Sequence, residues 1–108
     1  MQTIHLRKFG IVLVSRPAGL EAYNAIRPTL DVKTPVQIDF AGVLTVTPSW
    51  FDEFLTNLAD NMNADVELLT TDNASVRVAL PVLSADRNDK AGRSMKRAIE
   101  QMKEKRKN

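Results

Sequence analysis

The chain has 108 residues, 44% of them hydrophobic, and a net charge of +2, so it is large enough for one domain with its own core and too short for two. It contains no cysteine and one histidine, His5, which excludes disulfides and thiol nucleophiles and disfavours a histidine-based metal site or catalytic relay. The segment Met1–Phe9 lacks the apolar run of a signal peptide, and no stretch approaches the roughly 20 apolar residues of a membrane span. We therefore expect a cytoplasmic protein that does not enter a membrane.

The charges are unevenly distributed. Residues 1–86 carry 6 basic and 10 acidic side chains, whereas residues 87–108 carry 9 basic and 3 acidic ones. The positive charge belongs to the C-terminal end, and the body before it is mildly acidic.

The N-terminal third predicts two strands and a helix. The β-type runs Thr3–Leu6 and Gly10–Val14 are close enough for a hairpin. Ser15 is placed to cap a helix over about Pro17–Leu30, and Pro28 can end that helix early.

The middle of the chain alternates strands with helices. Pro35–Phe40 alternates apolar and polar residues, and Ala64–Leu69 is a second strand-like run. Between them, Thr47–Pro48 is a helix start. The apolar face of that helix consists of Phe51, Phe54 with Leu55, Leu58 and Met62.

Two more helices complete the chain. Thr71–Asn73 offers an N-cap for a helix to about Leu80, which Pro81 should stop or kink. The last helix is expected over about 89–105, with a frayed end at 103–108. The order ββαβαβαα predicts a single α/β domain, a four- to five-stranded mixed sheet packed against about four helices.

The candidate site is Thr47–Glu53, the junction at the start of the second predicted helix. Ser49 lies near a helix N-terminus, where an added phosphate would be favoured; alternatively, Thr47 or Ser49 simply caps the helix. Trp50 is either an exposed contact anchor or a residue at the core margin. Asp52 and Glu53 point about 100° apart on a helix, so they complement its dipole better than they form an acid–base pair.

Two further polar residues have structural interpretations. Asp39, near the end of its strand, is expected to form an ion pair, for which Arg16 is a candidate, or to line the junction. His5 is expected to be an ordinary surface residue.

The basic last helix allows two interpretations. Its cations could form a surface for nucleic acid or an acidic partner; they include Arg93, Lys96, Arg97 and Lys103. Alternatively, an apolar stripe packs the helix onto the body as a lid; the stripe is Ala91, Met95, Ala98, Ile99 and Met102. Glu100 and Glu104 interrupt the positive field and no aromatic residue is present for base stacking, which favours the lid and makes nucleic acid the weaker partner.

An enzyme has almost no support in the sequence. The sequence has no glycine-rich phosphate loop and no convergent carboxylate pair, so we expect neither catalysis nor a metal or other cofactor.

The element order resembles the STAS-like family of unknown function, and three segments carry the resemblance: Ser15–Arg16, Ile38–Val43 and Ser49–Phe54. That family has an Asp-Phe-x-x-Val strand end, matched by Asp39, Phe40 and Val43. Its Phe-Ala-Asp-Glu helix start falls on Trp50–Glu53, and the polar Thr71–Asn73 segment before the next helix is also similar. The resemblance covers about residues 10–83.

The resemblance implies a regulatory, non-catalytic domain that acts by protein–protein contact. Related STAS domains, such as the anti-sigma-factor antagonists, are switched when a partner kinase phosphorylates a serine in an Asp-Ser-Ser-Gly motif at this junction. Laid on Thr47–Trp50 without gaps, the motif places the phosphorylated position on Ser49, while the other three residues differ. A histidine-kinase-type ATPase is the first partner that the resemblance suggests, and a homo-oligomer is a further possibility.

Overall fold

Five strands and four α-helices make up the fold within residues 2–106, the part of the chain that the computed structural model describes. The strands are β1 (Gln2–His5), β2 (Val12–Leu13), β3 (Val36–Asp39), β4 (Thr45–Val46) and β5 (Val66–Leu68). The α-helices are α1 (Arg16–Ile26), α2 (Pro48–Thr56), α3 (Ala74–Ser84) and α4 (Lys90–Arg106). Short 3-10 turns span Leu6–Phe9 and Arg27–Thr29, and a π-helical turn, Asn57–Asn61, continues α2.

The strands form two parallel sheets. One has the order β1-β3-β5, and the other pairs β2 with β4. The predicted β1–β2 hairpin and the mixed sheet are therefore wrong. The 3-10 turn that begins with the buried Leu6 separates the two strands, and Gly10 at φ +128° redirects the chain, so each strand pairs in parallel across the α1 crossover. The domain is α/β, as expected.

The core lies between the sheets and the helices, and β3 runs through its centre. Val36 and Ile38 on β3 have no exposed surface. The apolar face predicted for α2 is confirmed: Phe51, Phe54 and Leu58 are buried, and Met62 packs against them half-buried.

Prolines end one helix and not another. Pro28 follows the end of α1 at Ile26 within a 3-10 turn, as expected for a residue that disfavours helix before it. Pro81 does not stop α3, which continues to Ser84. Pro81 lies on the exposed side of the helix, while the buried Leu80 and Ser84 hold the last turn against the body.

The predicted packing of α4 onto the body as a lid is confirmed. Ala91, Met95, Ala98 and Met102 are buried and Ile99 packs against the core. Residues 103–106, predicted to fray, belong to α4, and residues 107–108 lie outside the described residues. No helix within residues 2–106 has the length and apolar character needed to cross a membrane.

Candidate functional site

The β4–α2 junction is held to β2 by Thr47. Its backbone N–H donates to the Leu13 carbonyl at 2.9 Å, and its hydroxyl donates to the same oxygen at 3.3 Å. Thr47 occupies the N-cap position of α2, but its side chain makes no capping hydrogen bond. The expected hydroxyl cap is therefore absent from this junction, because the β2 carbonyl takes the Thr47 hydroxyl.

Ser49 lies in the first turn of α2, half-buried, with its hydroxyl oxygen 3.4 Å from that of Thr47. The N–H groups in the first turn of a helix have no intrahelical acceptor and carry the positive end of the helix dipole. A phosphate added to Ser49 would therefore lie close to these N–H donors and to the positive end of the helix dipole.

Trp50 is a core residue. Its side chain is 2% exposed and stacks on Phe54 with ring centroids 5.0 Å apart, while Phe9 lies against it at 6.2 Å. Since Trp50 and Phe54 are one helical turn apart, they share the buried face of α2. The contact-anchor interpretation of Trp50 is wrong.

Asp52 and Glu53, in the middle of α2, belong to an ion-pair network. Arg16 donates to Asp52 at 2.9 Å and to Glu53 at 3.3 Å, and Arg87 donates to the other oxygen of Asp52 at 2.8 Å. Arg87 also contacts Asp89 at 2.8 Å. The network joins the start of α1 and the α3–α4 connection to α2.

Asp39 does not contribute to this network. It contacts His5 at 2.8 Å and accepts the backbone N–H of Ala41 at 3.0 Å, so the suggested Asp39–Arg16 pair is wrong. The reason is the parallel β1–β3 register, which places His5 directly beside Asp39. The Ala41 N–H, together with His5, lowers the pKa of Asp39.

The network depresses the pKa of its central carboxylate. Burial alone would raise the pKa of Asp52, but hydrogen bonds from Arg16 and Arg87 outweigh it and hold the pKa below the usual value. The Arg87 guanidinium lowers the pKa of Asp89 in the same way. Both aspartates therefore stabilise the fold in their ionised form.

Asp52→Asn should lower the free energy of unfolding by about 1 kcal/mol at neutral pH, because each of the two guanidinium groups loses one of its two anionic partners at a partly buried site. An aspartate with a depressed native pKa contributes this stability above its unfolded pKa of about 3.9 and loses it as the pH falls through the native value. Urea denaturation at a series of pH values should therefore show the difference from wild type shrinking in acid.

Asp72→Asn is the control for this series, because the Asp72 carboxylate is fully exposed and lies 3.9 Å from Arg77. It should leave the stability curve unchanged. A deficit for Asp52→Asn that stays constant down to acid pH would contradict the charge-based explanation.

The largest group of exposed apolar side chains next to the junction surrounds the β2–β4 pair. We call this group the β2–β4 patch: Ile11, Val12, Val14 and Leu44, which are 46%, 52%, 46% and 69% exposed. Leu44 donates its N–H to the Ile11 carbonyl at 2.8 Å, so these two residues, which directly precede β4 and β2, are neighbours. Isolated apolar residues on a surface are ordinary, whereas a group of them next to a candidate site marks a candidate contact surface.

An open groove of about 430 Å³ runs between β2 and α1 beside the patch. Val12 and Val14 line one side and Ala18 and Ala22 the other. The groove connects the patch to the start of α1, which Ser15 caps by accepting the Ala18 N–H, as predicted.

The four candidate cations of α4 are exposed, and each has a partner within the chain. Arg93 donates to the Asn88 carbonyl, Lys96 to the Arg87 carbonyl and Arg97 to the Val66 carbonyl. Lys103 lies 3.6 Å from Glu100. Three of the four cations thus bond backbone carbonyls, and the fourth pairs with a carboxylate of its own helix.

Sequence reasoning missed three contributors to this part of the molecule. Arg87 was not singled out, although it bridges Asp52 and Asp89. Asp60 accepts the Lys90 and Ala91 N–H groups at the start of α4, a contact that depends on the tertiary fold. The four-residue apolar run from Ile11 to Val14 was visible, but the exposure of Ile11, Val12 and Val14 was not.

Comparison of the chain with protein-family models, curated proteins and solved structures finds no match. Within residues 2–106, no three His, Asp or Glu side chains gather in a way that could hold a metal ion.

Proposed function

We propose that this chain is a non-catalytic, regulatory protein-interaction domain that contacts its partner through the β2–β4 patch. The observation that carries the proposal is the exposure of four apolar side chains in and next to the paired strands β2 and β4, beside the junction that the sequence had singled out. Burying such side chains against a partner is favourable in proportion to the apolar area removed from water. The contact surface is thus shifted from the α2 residues expected earlier to the strands that precede them.

The resemblance to STAS-like proteins supports a binding role. It also suggests the first partner to test, a histidine-kinase-type ATPase encoded beside this chain's gene. For the competing enzymatic role, the sequence offers no thiol nucleophile, no glycine-rich phosphate loop and no convergent carboxylate pair.

Ser49 is the proposed switch of this contact. Its hydroxyl lies 3.4 Å from that of Thr47, which in turn bonds the Leu13 carbonyl between Val12 and Val14. A phosphate would add a charge of about −2 beside an apolar surface. Phosphorylation should therefore weaken a contact made through the patch.

Leu44→Asp should weaken binding of the purified ATPase at least about tenfold, because it places a charge on an apolar contact surface. Isothermal titration calorimetry measures the affinity, and circular dichroism checks the fold. Val82→Asp is the matched control, since Val82 is 67% exposed on α3 and should bind like wild type.

The same titration with Ser49→Asp tests the switch, with Ser49→Ala as its uncharged control. Equal affinities for wild type, Leu44→Asp and Val82→Asp would refute the patch as the contact surface. Equal affinities for the two Ser49 variants would refute the switch alone.

A further inference from the structure

The outer edge of β2 has backbone groups that the rest of the fold leaves open. The Thr45 N–H donates to the Ile11 carbonyl at 3.1 Å, and the Thr47 N–H donates to the Leu13 carbonyl at 2.9 Å. Because alternate residues of a parallel strand point their N–H and C=O groups to opposite sides, those of Val12 point away from β4. Within residues 2–106 no other group bonds to them.

Two other sheet edges are covered by side chains. On β4, Ser75 accepts the outward N–H of Val46 at 2.9 Å, and the Asn73 amide donates to the Val43 carbonyl at 2.8 Å. On β5, the Val66 carbonyl accepts Ser94 at 2.8 Å. Open strand edges template pairing with other chains, and native folds usually blunt them in this way.

The uncovered edge of β2 is also apolar. For comparison, the exposed side chains of the edge strand β1 are polar: they are Thr3 and His5. On β2 the corresponding side chain is Val12, half-exposed, with Val14 immediately beyond it. The edge of β2 therefore combines free hydrogen-bonding groups with apolar side chains, the combination that favours an added strand.

The groove beside this edge has one charged lining residue among the described ones, Glu21; its other lining side chains are apolar and include Phe9, Val14 and Ala18. An apolar groove with a single carboxylate complements a segment that carries apolar side chains at alternate positions and one basic side chain. Charge complementarity of this kind selects partners and sets their register.

We infer that β2 accepts an extended segment of the partner protein as an additional strand, with apolar side chains in the β2–α1 groove and a lysine or arginine opposite Glu21. This inference rests on the proposed function, because it specifies how the β2–β4 patch binds. Backbone hydrogen bonds to Val12 supply the pairing, and the groove and Glu21 supply the specificity.

The test is selection of short random peptides, displayed on phage, against the full chain. We expect enrichment of peptides that alternate apolar and polar residues and carry a basic residue. The enriched peptide, made synthetically, should lose at least about tenfold in affinity when alternate backbone nitrogens are methylated, and should slow exchange of the Val12 amide in NMR spectra.

A charge swap tests the role of Glu21. Glu21→Lys should weaken the basic peptide at least about fivefold, and replacing the peptide's basic residue by glutamate should restore binding to this variant. Val82→Asp again serves as the control variant.

Three results with peptides would overturn the inference: no enriched peptide, enrichment of a helical spacing, or binding that survives methylation of each of the two sets of alternate nitrogens in turn. A dimer of this chain that protects the Val12 amide would also overturn it and make a second copy the occupant.

If the ATPase shifts the Leu44 resonance without protecting Val12, strand addition fails and the proposed function stands. If no purified partner perturbs the patch, the proposed function fails.

Discussion

Trp50→Ala should lower the free energy of unfolding by about 3–5 kcal/mol, the range for removing a large aromatic side chain from a core. Trp50 is 2% exposed, stacks on Phe54 and also contacts the ring of Phe9. The substitution removes this contact area and leaves a cavity that the rigid α1–α2 packing cannot fill. Urea denaturation monitored by circular dichroism measures the loss.

Leu44→Ala is the control for Trp50→Ala, because Leu44 is 69% exposed and its truncation should change the unfolding free energy by less than about 0.5 kcal/mol. Equal stabilities of the Trp50→Ala and wild-type proteins would place the indole on the surface and revive its role as a contact residue. Loss of partner binding by Trp50→Ala would not show a direct contact unless the variant remained folded.

The helices were the most predictable part of this fold, because their signals are local. Ser15 and Asn73 cap α1 and α3 as expected, and each side chain accepts a backbone N–H within three residues. The stripe of α4 from Ala91 to Met102 is buried because apolar residues at helical spacing share one face of the helix, and that face packs against the core.

The strand pairing was less predictable, because it depends on contacts that the sequence does not order. Two apolar runs separated by a few polar residues fit a hairpin and a pair of parallel crossovers equally well. The difference lies in the Leu6–Phe9 turn, where one buried leucine interrupts the extended chain. Side-chain pairing followed the strands: His5 reaches Asp39 only because β1 lies beside β3.

The role of the Thr47–Glu53 junction as a contact site stays a prediction, whereas the surroundings of its side chains are visible in the fold. The junction lies beside β2, because the Thr47 hydroxyl donates to the Leu13 carbonyl and lies next to the Ser49 hydroxyl. Its proposed contact residues were drawn from α2, where Trp50 is buried and Asp52 is held by Arg16 and Arg87. Whether an apolar residue is exposed depends on whether a neighbouring element covers it. The alternation of residues within one strand contains no information about such coverage.

Gly19→Ala should destabilise the fold by about 2–3 kcal/mol, although alanine is the better helix former by about 1 kcal/mol. A Cβ at Gly19 would lie 2.4 Å from the Trp50 carbonyl oxygen and 3.2 Å from the Glu53 Cβ. The nearer atom is backbone within a helix, so α1 and α2 must separate, and this would also strain the Arg16 pairs with Asp52 and Glu53.

Asn24→Ala, at an exposed position of α1, gains the same helix-forming residue without the clash and should be neutral or slightly stabilising in thermal and urea denaturation. A Gly19→Ala protein as stable as Asn24→Ala would show that the two helices do not pack this closely, and the β2–α1 groove would then have a different width from the one that an added strand requires.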